Sequence, residues 1–146
     1  MILKIKKLSD SAFVPVRATA GSAGMDLKAC IDGPVTLNPG ERRLIPTGLA
    51  IALESADYVA YIFARSGLAV KLGITLSNCV GVIDSDYRGE LKVGLINQSN
   101  EPYTVNNGER IAQLVISPVI IPEIEMVDSL EETERNDGGF GSTGKA

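Results

Sequence analysis

Apolar residues in this chain fall in short segments that are separated by glycine, proline and polar turn residues. Some segments alternate apolar and polar positions, and few windows keep a helical period for three turns. Short segments of this kind are typical of β-strands. The pattern predicts strands at "ILKIK", "VTL", "RLIPTGLAIAL", "YVAYIF", "GITLSN", "GELKVGLIN" and "RIAQLVISPVIIP".

Turn and helix signals complete this outline. The letters "NPGE" indicate a turn after "VTL", and "NNGE" at residues 106–109 is typical of a hairpin. The one helical segment is "SGLAVKLG", where Ser66 is placed to cap a short helix over residues 66–72 and Gly73 to end it. We therefore expect an all-β fold, a jelly-roll-like sandwich or, as second choice, a barrel, with one short helix.

The apolar pattern stops well before the C-terminal residues. A chain of 146 residues suits one domain, and after Leu130 its only large apolar side chain is Phe140. The intervening segment is acidic and polar, and the glycine-rich letters "GGFGSTG" follow it. These features predict a β domain over residues 1–127 and a flexible arm over residues 128–146.

Composition narrows the chemistry. The net charge of −4 argues against a protein whose main role is to coat nucleic acid, although it is compatible with a local basic pocket. The chain has no histidine, which excludes Ser–His and Cys–His nucleophile pairs and histidine-ligated zinc. Any acid or base must therefore be a carboxylate, a lysine or a tyrosine.

Cysteine content and the absence of targeting signals give further expectations. Cys30 and Cys79 have no second cysteine at ligand spacing, so we expect two reduced core residues. The N-terminal apolar run is too short for a signal peptide, and no stretch approaches the length that crosses a bilayer. The expected location is cytoplasmic, with neither membrane nor nucleic acid as partner.

The first segment that carries candidate chemistry is "GVIDSDYRGELKVGLIN", in which Asp84 and Asp86 are two residues apart. In an extended strand these carboxylates would face the same way. A calcium loop that starts at Asp84 fails, because its fifth position is Arg88 and its twelfth, which requires a bidentate Glu, is Leu95. The segment indicates a polar hairpin whose acids are either simply solvated or part of a site.

Two other segments suit phosphate. In "GFGSTGK", Ala146 stands where a P-loop requires Ser or Thr, but the glycines and the hydroxyls of Ser142 and Thr143 can still bind an anion, and Phe140 can stack on a base. An idle disordered tail is the alternative. In "ARSGLA", Arg65 precedes the predicted helix, and a guanidinium and a helix N-terminus can bind one phosphate together.

Taken in order, five segments closely resemble the signature motifs of the trimeric dUTPase family: "AGMDL", "ARSGLA", "SNCVGVIDSDYRGEL", "GERIAQLVI" and "RNDGGFGSTG". The resemblance covers residues 23–144. It implies a β jelly roll and a homotrimer whose active sites are shared between chains. It also implies magnesium-dependent hydrolysis of dUTP to dUMP and pyrophosphate, which keeps uracil out of DNA and supplies dUMP for thymidylate synthesis.

The resemblance also implies residue roles in the first four motifs. Asp84 matches the catalytic aspartate that orients and deprotonates the attacking water, and Asp26 matches an acid that meets Mg²⁺ through water. Tyr87 matches the ring that packs under the deoxyribose and excludes a 2′-hydroxyl. The residues that match contacts to the α- and β-phosphates are Arg65, Ser66, Gly67 and Gln113. Those that match the uracil site are Asn78, Val82, Ile83 and Lys92.

In the fifth motif the resemblance makes Arg135 the partner of the γ-phosphate and Phe140 a lid on uracil. The remaining substrate contacts implied there are Gly141, Ser142 and Thr143. Two departures from the family pattern are Ala64, where many relatives have proline, and Asn136–Asp137, where glycine usually follows the arginine. The second departure adds a negative charge near the γ-phosphate.

Two alternative functions belong to different classes. A dCTP deaminase of the same fold is the enzymatic alternative, but such deaminases lack the "GVIDSDY" block. The other is a catalytically silent relative that senses nucleotides or binds proteins. Against that reading stand the intact Asp84, Tyr87, Arg135 and Phe140.

Overall fold

The computed structural model describes residues 1–139, and their regular structure is β-strand apart from one short helix, as expected. In chain order the elements are β1 (Lys4–Lys7), β2 (Met25–Lys28), β3 (Val35–Leu37), β4 (Arg42–Pro46), β5 (Leu49–Ala52), β6 (Tyr58–Phe63), α1 (Ser66–Leu72), β7 (Ile74–Leu76), β8 (Gly81–Ile83), β9 (Lys92–Asn97), β10 (Tyr103–Val105) and β11 (Arg110–Pro118).

The strands of residues 1–139 form antiparallel sheets whose members are mostly distant in sequence. The largest sheet has the order β2-β11-β6-β8, and a second has the order β4-β9-β7. Two pairs, β1-β5 and β3-β10, complete the set. Residues from these sheets, including Leu27, Leu37, Leu49, Val93 and Leu114, share one buried apolar cluster. The sheets therefore enclose a single core.

The segment expected as one long strand, "RLIPTGLAIAL", is two strands. β4 pairs with β9, whereas β5 pairs with β1, and the chain changes sheet at Thr47 and Gly48. Gly48 has a φ of 67°, and a Cβ atom there would lie 2.8 Å from the Cβ of Ala12. The buried Thr47 donates its hydroxyl to the carbonyl of Leu91 at 2.6 Å. The last strand is also shorter than expected, because β11 ends at Pro118.

Both expected hairpins are wrong in their pairing. The turn at residues 106–109 does form, with a bond of 3.1 Å from the Glu109 N–H to the Asn106 carbonyl, but β10 pairs with β3 and β11 with β2 and β6. The second expected hairpin, "GVIDSDYRGELKVGLIN", does not pair with itself either, because β8 pairs with β6, while β9 pairs with β4 and β7. Turn residues fix a local change of direction, whereas burial of the strand faces selects the partner.

The helix covers the expected residues 66–72, but its N-cap residue differs from the prediction. Ser66 is its first residue, and Arg65 occupies the N-cap position without a side-chain capping bond. The Ala69 N–H donates to the Arg65 carbonyl at 2.9 Å. Gly73 ends the helix with a φ of 68°, as predicted. Within residues 1–139 no helix is long and apolar enough to cross a membrane.

Only one cysteine contributes to the core. Cys30 is partly buried and packs against the apolar cluster. Cys79 is exposed and has a φ of 63°, so its expected place in the core is wrong. It lies in the turn between β7 and β8, where its position is set by the chain reversal and not by burial. Both thiols are free.

The chain after β11 differs from the rest of the described residues. Residues 119–139 contain neither helix nor strand, and nearly all their side chains are exposed. The Val119 N–H still donates to the Asp57 carbonyl at 2.8 Å. The domain boundary at residue 127 stays a prediction.

Candidate active site

A pocket of about 340 Å³ joins residues from β2, the start of α1 and β11. It brings together a set of predicted residues that are far apart in sequence, namely Asp26, Arg65, Ser66, Gly67 and Gln113. Its other lining residues are Ala18, Ser22, Ala23, Gly24 and Arg110. We call it the anion pocket, for the charges described next.

Two arginines meet one carboxylate in the anion pocket. Arg65 Nε lies 3.0 Å from Asp26 Oδ1, and Arg110 Nη1 lies 3.2 Å from Asp26 Oδ2. The Asp26 side chain is only 14% exposed, whereas that of Arg110 is 52% exposed. The carboxylate thus fixes both guanidiniums, and the three side chains together carry one net positive charge. Such an arrangement attracts an anion such as phosphate.

Gln113 supports the same pocket from β11, where it lies opposite Asp26 in the sheet register. Its Nε2 donates to the carbonyl of Ala64 at 2.9 Å and so holds the end of β6 where Arg65 follows. A Cβ atom at Gly24 would lie 2.5 Å from Gln113 Oε1, so only glycine leaves room for this amide. Gln113 therefore positions the residues around it and also lines the pocket.

The residue that sequence reasoning missed is Arg110. It lies inside the quoted motif "GERIAQLVI", but regular strand alternation places residues 110 and 113 on opposite faces. A register shift between Arg110 and Ala112 in the pairing with β2 breaks this alternation. Both Arg110 and Gln113 consequently line the pocket, which the alternation rule by itself does not predict.

A second cavity, of about 110 Å³, holds all four residues that were predicted to contact uracil, Asn78, Val82, Ile83 and Lys92. We call it the base cavity. Most of its lining residues come from β8 and β9, which belong to different sheets and so leave a gap between them. Because β8 is the edge strand of its sheet, one row of its backbone N–H and C=O groups is not used by β6.

A third cavity, a groove of about 670 Å³, contains the predicted catalytic residue Asp84. Asp84 and Asp86 do not lie on an extended strand, because residues 85 and 86 form a turn that is closed by the Tyr87 N–H and the Asp84 carbonyl at 3.2 Å. Both carboxylates nevertheless line this groove. Val82 lines it too and also lines the base cavity, so the two cavities are neighbours.

The loop that carries Asp84 is held by several hydrogen bonds. Arg88 Nη1 donates to the carbonyls of Ser85 and Tyr87 at 2.7 and 2.9 Å. The Tyr87 hydroxyl donates to the Glu90 carbonyl at 3.0 Å. The Glu90 carboxylate in turn accepts the Gly48 N–H at 2.9 Å. The loop is therefore fixed both within itself and to the start of β5.

The three cavities fall into two groups. The base cavity and the Asp84 groove meet at Val82, whereas no residue that lines the anion pocket lines either of them. In the described residues of one chain, the predicted phosphate contacts are thus separate from the predicted catalytic and base contacts.

The arm is described only up to residue 139. Arg135 Nε donates to the Gly138 carbonyl at 2.7 Å, within a local turn. Asn136 has a φ of 45°, a region that asparagine tolerates better than most residues, which is compatible with the glycine that the family pattern implies near this position. Phe140, Gly141, Ser142 and Thr143 lie outside the described residues.

Two titratable groups outside the anion pocket have displaced pKa values. Burial, and then the hydrogen bond to Glu109, raise the pKa of Tyr103. A backbone hydrogen bond from Asn38, with the nearby Arg43, lowers the pKa of Glu41. Neither group lines a cavity that holds predicted site residues.

Comparison with known proteins agrees with these features. The dUTPase family model matches residues 10–144. Deoxyuridine 5′-triphosphate nucleotidohydrolase of Burkholderia lata is 52% identical over 98% of this chain and 97% of its own length. The enzyme of the same name from Desulfitobacterium hafniense is 56% identical over 90% of this chain and 87% of its own.

Solved structures agree as well. A dUTPase mutant of Staphylococcus bacteriophage 80alpha, solved with dUpNHpp, is 30% identical, with a TM-score of 0.89 and 99% of each chain covered. A dUTPase mutant of S. aureus phage phi11, whose structure describes a structural Mg(II) ion, is 26% identical with a TM-score of 0.81, over 90% of this chain and all of that one. The expected jelly-roll-like fold is confirmed, and the chain belongs to the dUTPase family.

Proposed function

We propose that this protein hydrolyses dUTP to dUMP and pyrophosphate, with Asp84 as the base that activates the attacking water. The reaction follows from membership of the dUTPase family and the nucleotidohydrolase relatives. The observation that carries the assignment of residues is the adjacency of the Asp84 groove and the base cavity at Val82. Adjacency is what the chemistry needs, because the α-phosphate is the phosphate nearest to the nucleoside.

The base cavity supports uracil as the base that is read. Its edge strand offers backbone donors and acceptors in fixed positions, and Asn78 adds a side-chain amide. A cavity of about 110 Å³ leaves little room for an added 5-methyl group. The 4-amino group of cytosine would place a hydrogen-bond donor where the 4-oxo group of uracil accepts, and such a mismatch discriminates strongly against cytosine.

The anion pocket supports binding of the α- and β-phosphates. Arg65 and Arg110 are held by Asp26 before any substrate arrives, so little side-chain entropy is lost when phosphate binds. Ser66 adds a hydroxyl donor at the pocket wall. We assign the γ-phosphate to Arg135, and the covering of the bound nucleotide to Phe140, Gly141, Ser142 and Thr143.

The separation of the anion pocket from the Asp84 groove supports an active site that is built from more than one chain. One dUTP molecule must reach a base, a water-activating carboxylate and phosphate contacts at once. Since no lining residue is common to the two groups of cavities, the geometry favours a neighbouring chain as the source of one group. We propose a homotrimer, in which three-fold symmetry repeats this contact.

The residues of the anion pocket fit magnesium held through water. Within residues 1–139 no group of three or more Asp, Glu, Cys or His side chains could hold a metal. Asp26 is the acid of the pocket, and its oxygens already accept bonds from two arginines. Mg²⁺ commonly binds one or two carboxylates, several waters and substrate phosphates. When bound, it would neutralise charge on the phosphate oxygens.

A substrate panel tests the function. The protein is incubated with Mg²⁺ and, separately, with dUTP, dTTP, dCTP or UTP, and pyrophosphate release is followed; we expect release from dUTP alone at a high rate. Asp84→Asn is the matched control, and it should lower turnover by about 10²–10⁴ because Asn cannot take the proton. Equal release from all four nucleotides would overturn the specificity, and deamination of dCTP without pyrophosphate release would favour a deaminase. No reaction with any of them would favour a silent binding module.

A further inference from the structure

Gly89 lies against the hydroxyl end of the Tyr87 ring. A Cβ atom built on Gly89 would lie 2.5 Å from Tyr87 Cζ and 2.9 Å from Cε2, and closer still to the hydroxyl oxygen. Real Cβ atoms do not approach other atoms this closely, so any side chain at position 89 must displace something. The backbone of Gly89 is not in the left-handed region, so alanine meets no left-handed strain there, and the three atoms nearest to the added Cβ all belong to Tyr87.

The ring of Tyr87 is the part that can move. It is 43% exposed, and it is tied at its outer end by the hydroxyl bond to the Glu90 carbonyl at 3.0 Å. The backbone carbonyl of Asp84, by contrast, accepts the backbone N–H of Tyr87 at 3.2 Å. A methyl group at position 89 therefore shifts the ring and breaks the hydroxyl bond, while the turn that carries Asp84 keeps its backbone contact.

We propose that Gly89 is a positioning residue for the sugar specificity of the enzyme. Because glycine has no side chain, the Tyr87 ring can pack against the backbone at position 89, and its hydroxyl can donate to the Glu90 carbonyl. A ring in a fixed position can exclude a 2′-hydroxyl, whereas a displaced ring cannot. The inference rests on the proposed function and on the role that the family resemblance implies for Tyr87, a ring that packs under the deoxyribose, since Gly89 acts through that ring.

Gly89→Ala tests this role, with Gly33→Ala as the matched control. A Cβ atom at Gly33 would meet nothing within 4 Å, and Gly33 is not in the left-handed region either. We expect the ratio of kcat/KM for dUTP over UTP to fall by about tenfold or more in Gly89→Ala, a change typical of altered fit at one small group, and to stay unchanged in Gly33→Ala. Gly89→Ala should melt only slightly below Gly33→Ala, because the hydroxyl bond that it loses is exposed.

The double variant Tyr87→Ala/Gly89→Ala separates this role from a general structural one. If Gly89 acts through the ring, the double variant should show the same ratio as Tyr87→Ala, because no ring is left to displace. Labelled tyrosine ring resonances, assigned by comparison with Tyr87→Phe, should shift for Tyr87 in Gly89→Ala and not in Gly33→Ala.

The outcomes are distinguishable. Two results in an active enzyme would overturn the role of Gly89. In the first, Gly89→Ala keeps the parent ratio of kcat/KM for dUTP over UTP. In the second, that ratio is lower in the double variant than in Tyr87→Ala, by the same factor by which Gly89→Ala lowers it in the parent. An unshifted Tyr87 ring would do the same without any activity measurement. Absence of dUTP hydrolysis by the unmodified chain would instead overturn the proposed function, and sugar selection by this loop with it.

Discussion

The proposed sharing of active sites between chains leads to a quantitative prediction for mixed assemblies. Arg65→Gln removes a charge of the anion pocket, and Asp84→Asn removes the proposed base, so each variant by itself should have little activity. Arg110 still pairs with Asp26 in the first variant, which keeps the partly buried carboxylate from being left without a cation. Both variants should therefore fold and assemble.

The expected activity of a mixture follows from the separation of the two groups of cavities. Suppose that a site takes its anion pocket from one chain and Asp84 from the next. The site is intact only when the first chain has a normal anion pocket and the second a normal Asp84. In the mixture this means that the first chain carries Asp84→Asn and the second Arg65→Gln. In a randomly assembled equal mixture each condition holds for about half of the chains, so about one quarter of the sites are intact. If one chain supplied both groups, no site would be restored.

The assay is dUTP turnover after the two variants have been unfolded together, mixed in equal amounts and refolded. Variants that are refolded separately and then combined serve as the control, since preformed assemblies need not exchange chains. Recovery near a quarter of the parent activity in the first sample, and not in the second, is expected. Activity of the co-refolded mixture no higher than the mean of the two variants would refute sharing of the site.

Four further predictions concern single features. Arg110→Ala should lower kcat/KM for dUTP by about tenfold or more, since hydrogen bonds to charged groups contribute about 1.5–3 kcal/mol, whereas Arg110→Lys should lose less; equal activity of all three proteins would contradict a phosphate role. Asn97→Ala should lower the free energy of unfolding by about 2–4 kcal/mol in urea melts, because it removes the buried side-chain donor to the Leu37 carbonyl and the acceptor of the Ser99 N–H. Because the pKa of Tyr103 is raised on folding, its contribution is complete below about pH 10 and is lost above it, so stability should fall more steeply from pH 10 upward in the parent than in Tyr103→Phe. Removal of all residues after Glu134 should barely change the melting temperature, because the side chains around that point are exposed, but should reduce dUTP turnover strongly.

The fold class could be predicted from the sequence because β-strands and turns leave local signals, whereas strand partners do not. "YVAYIF" is β6 residue for residue, and Gly73 ends α1 as expected. The division of "RLIPTGLAIAL" at Gly48 could not be predicted from alternation, since it separates two strands that follow directly on each other but join different sheets. Pairing depends on which faces are buried together in three dimensions.

The candidate site divides in a similar way. Residues such as Asp26 and Arg65 were predicted because five family motifs occur together and in order, and the structure places these two in one pocket. Arg110 was missed because a register shift in β11 changes the face on which it lies. The cap role of Ser66 was wrong, because Arg65 takes the capping position and leaves the serine at the pocket wall.

The charges of the anion pocket explain why a triphosphate needs more positive charge than this pocket carries by itself. Its two arginines and one aspartate leave a single net positive charge, in a protein whose net charge is −4. A triphosphate carries about four negative charges when ionised, and long-range attraction to an acidic protein is screened beyond about 8 Å at physiological salt. The missing positive charge must be supplied locally. In the proposed function Mg²⁺ would supply two charges and Arg135 a third, so removal of either should weaken binding of dUTP far more than binding of dUMP.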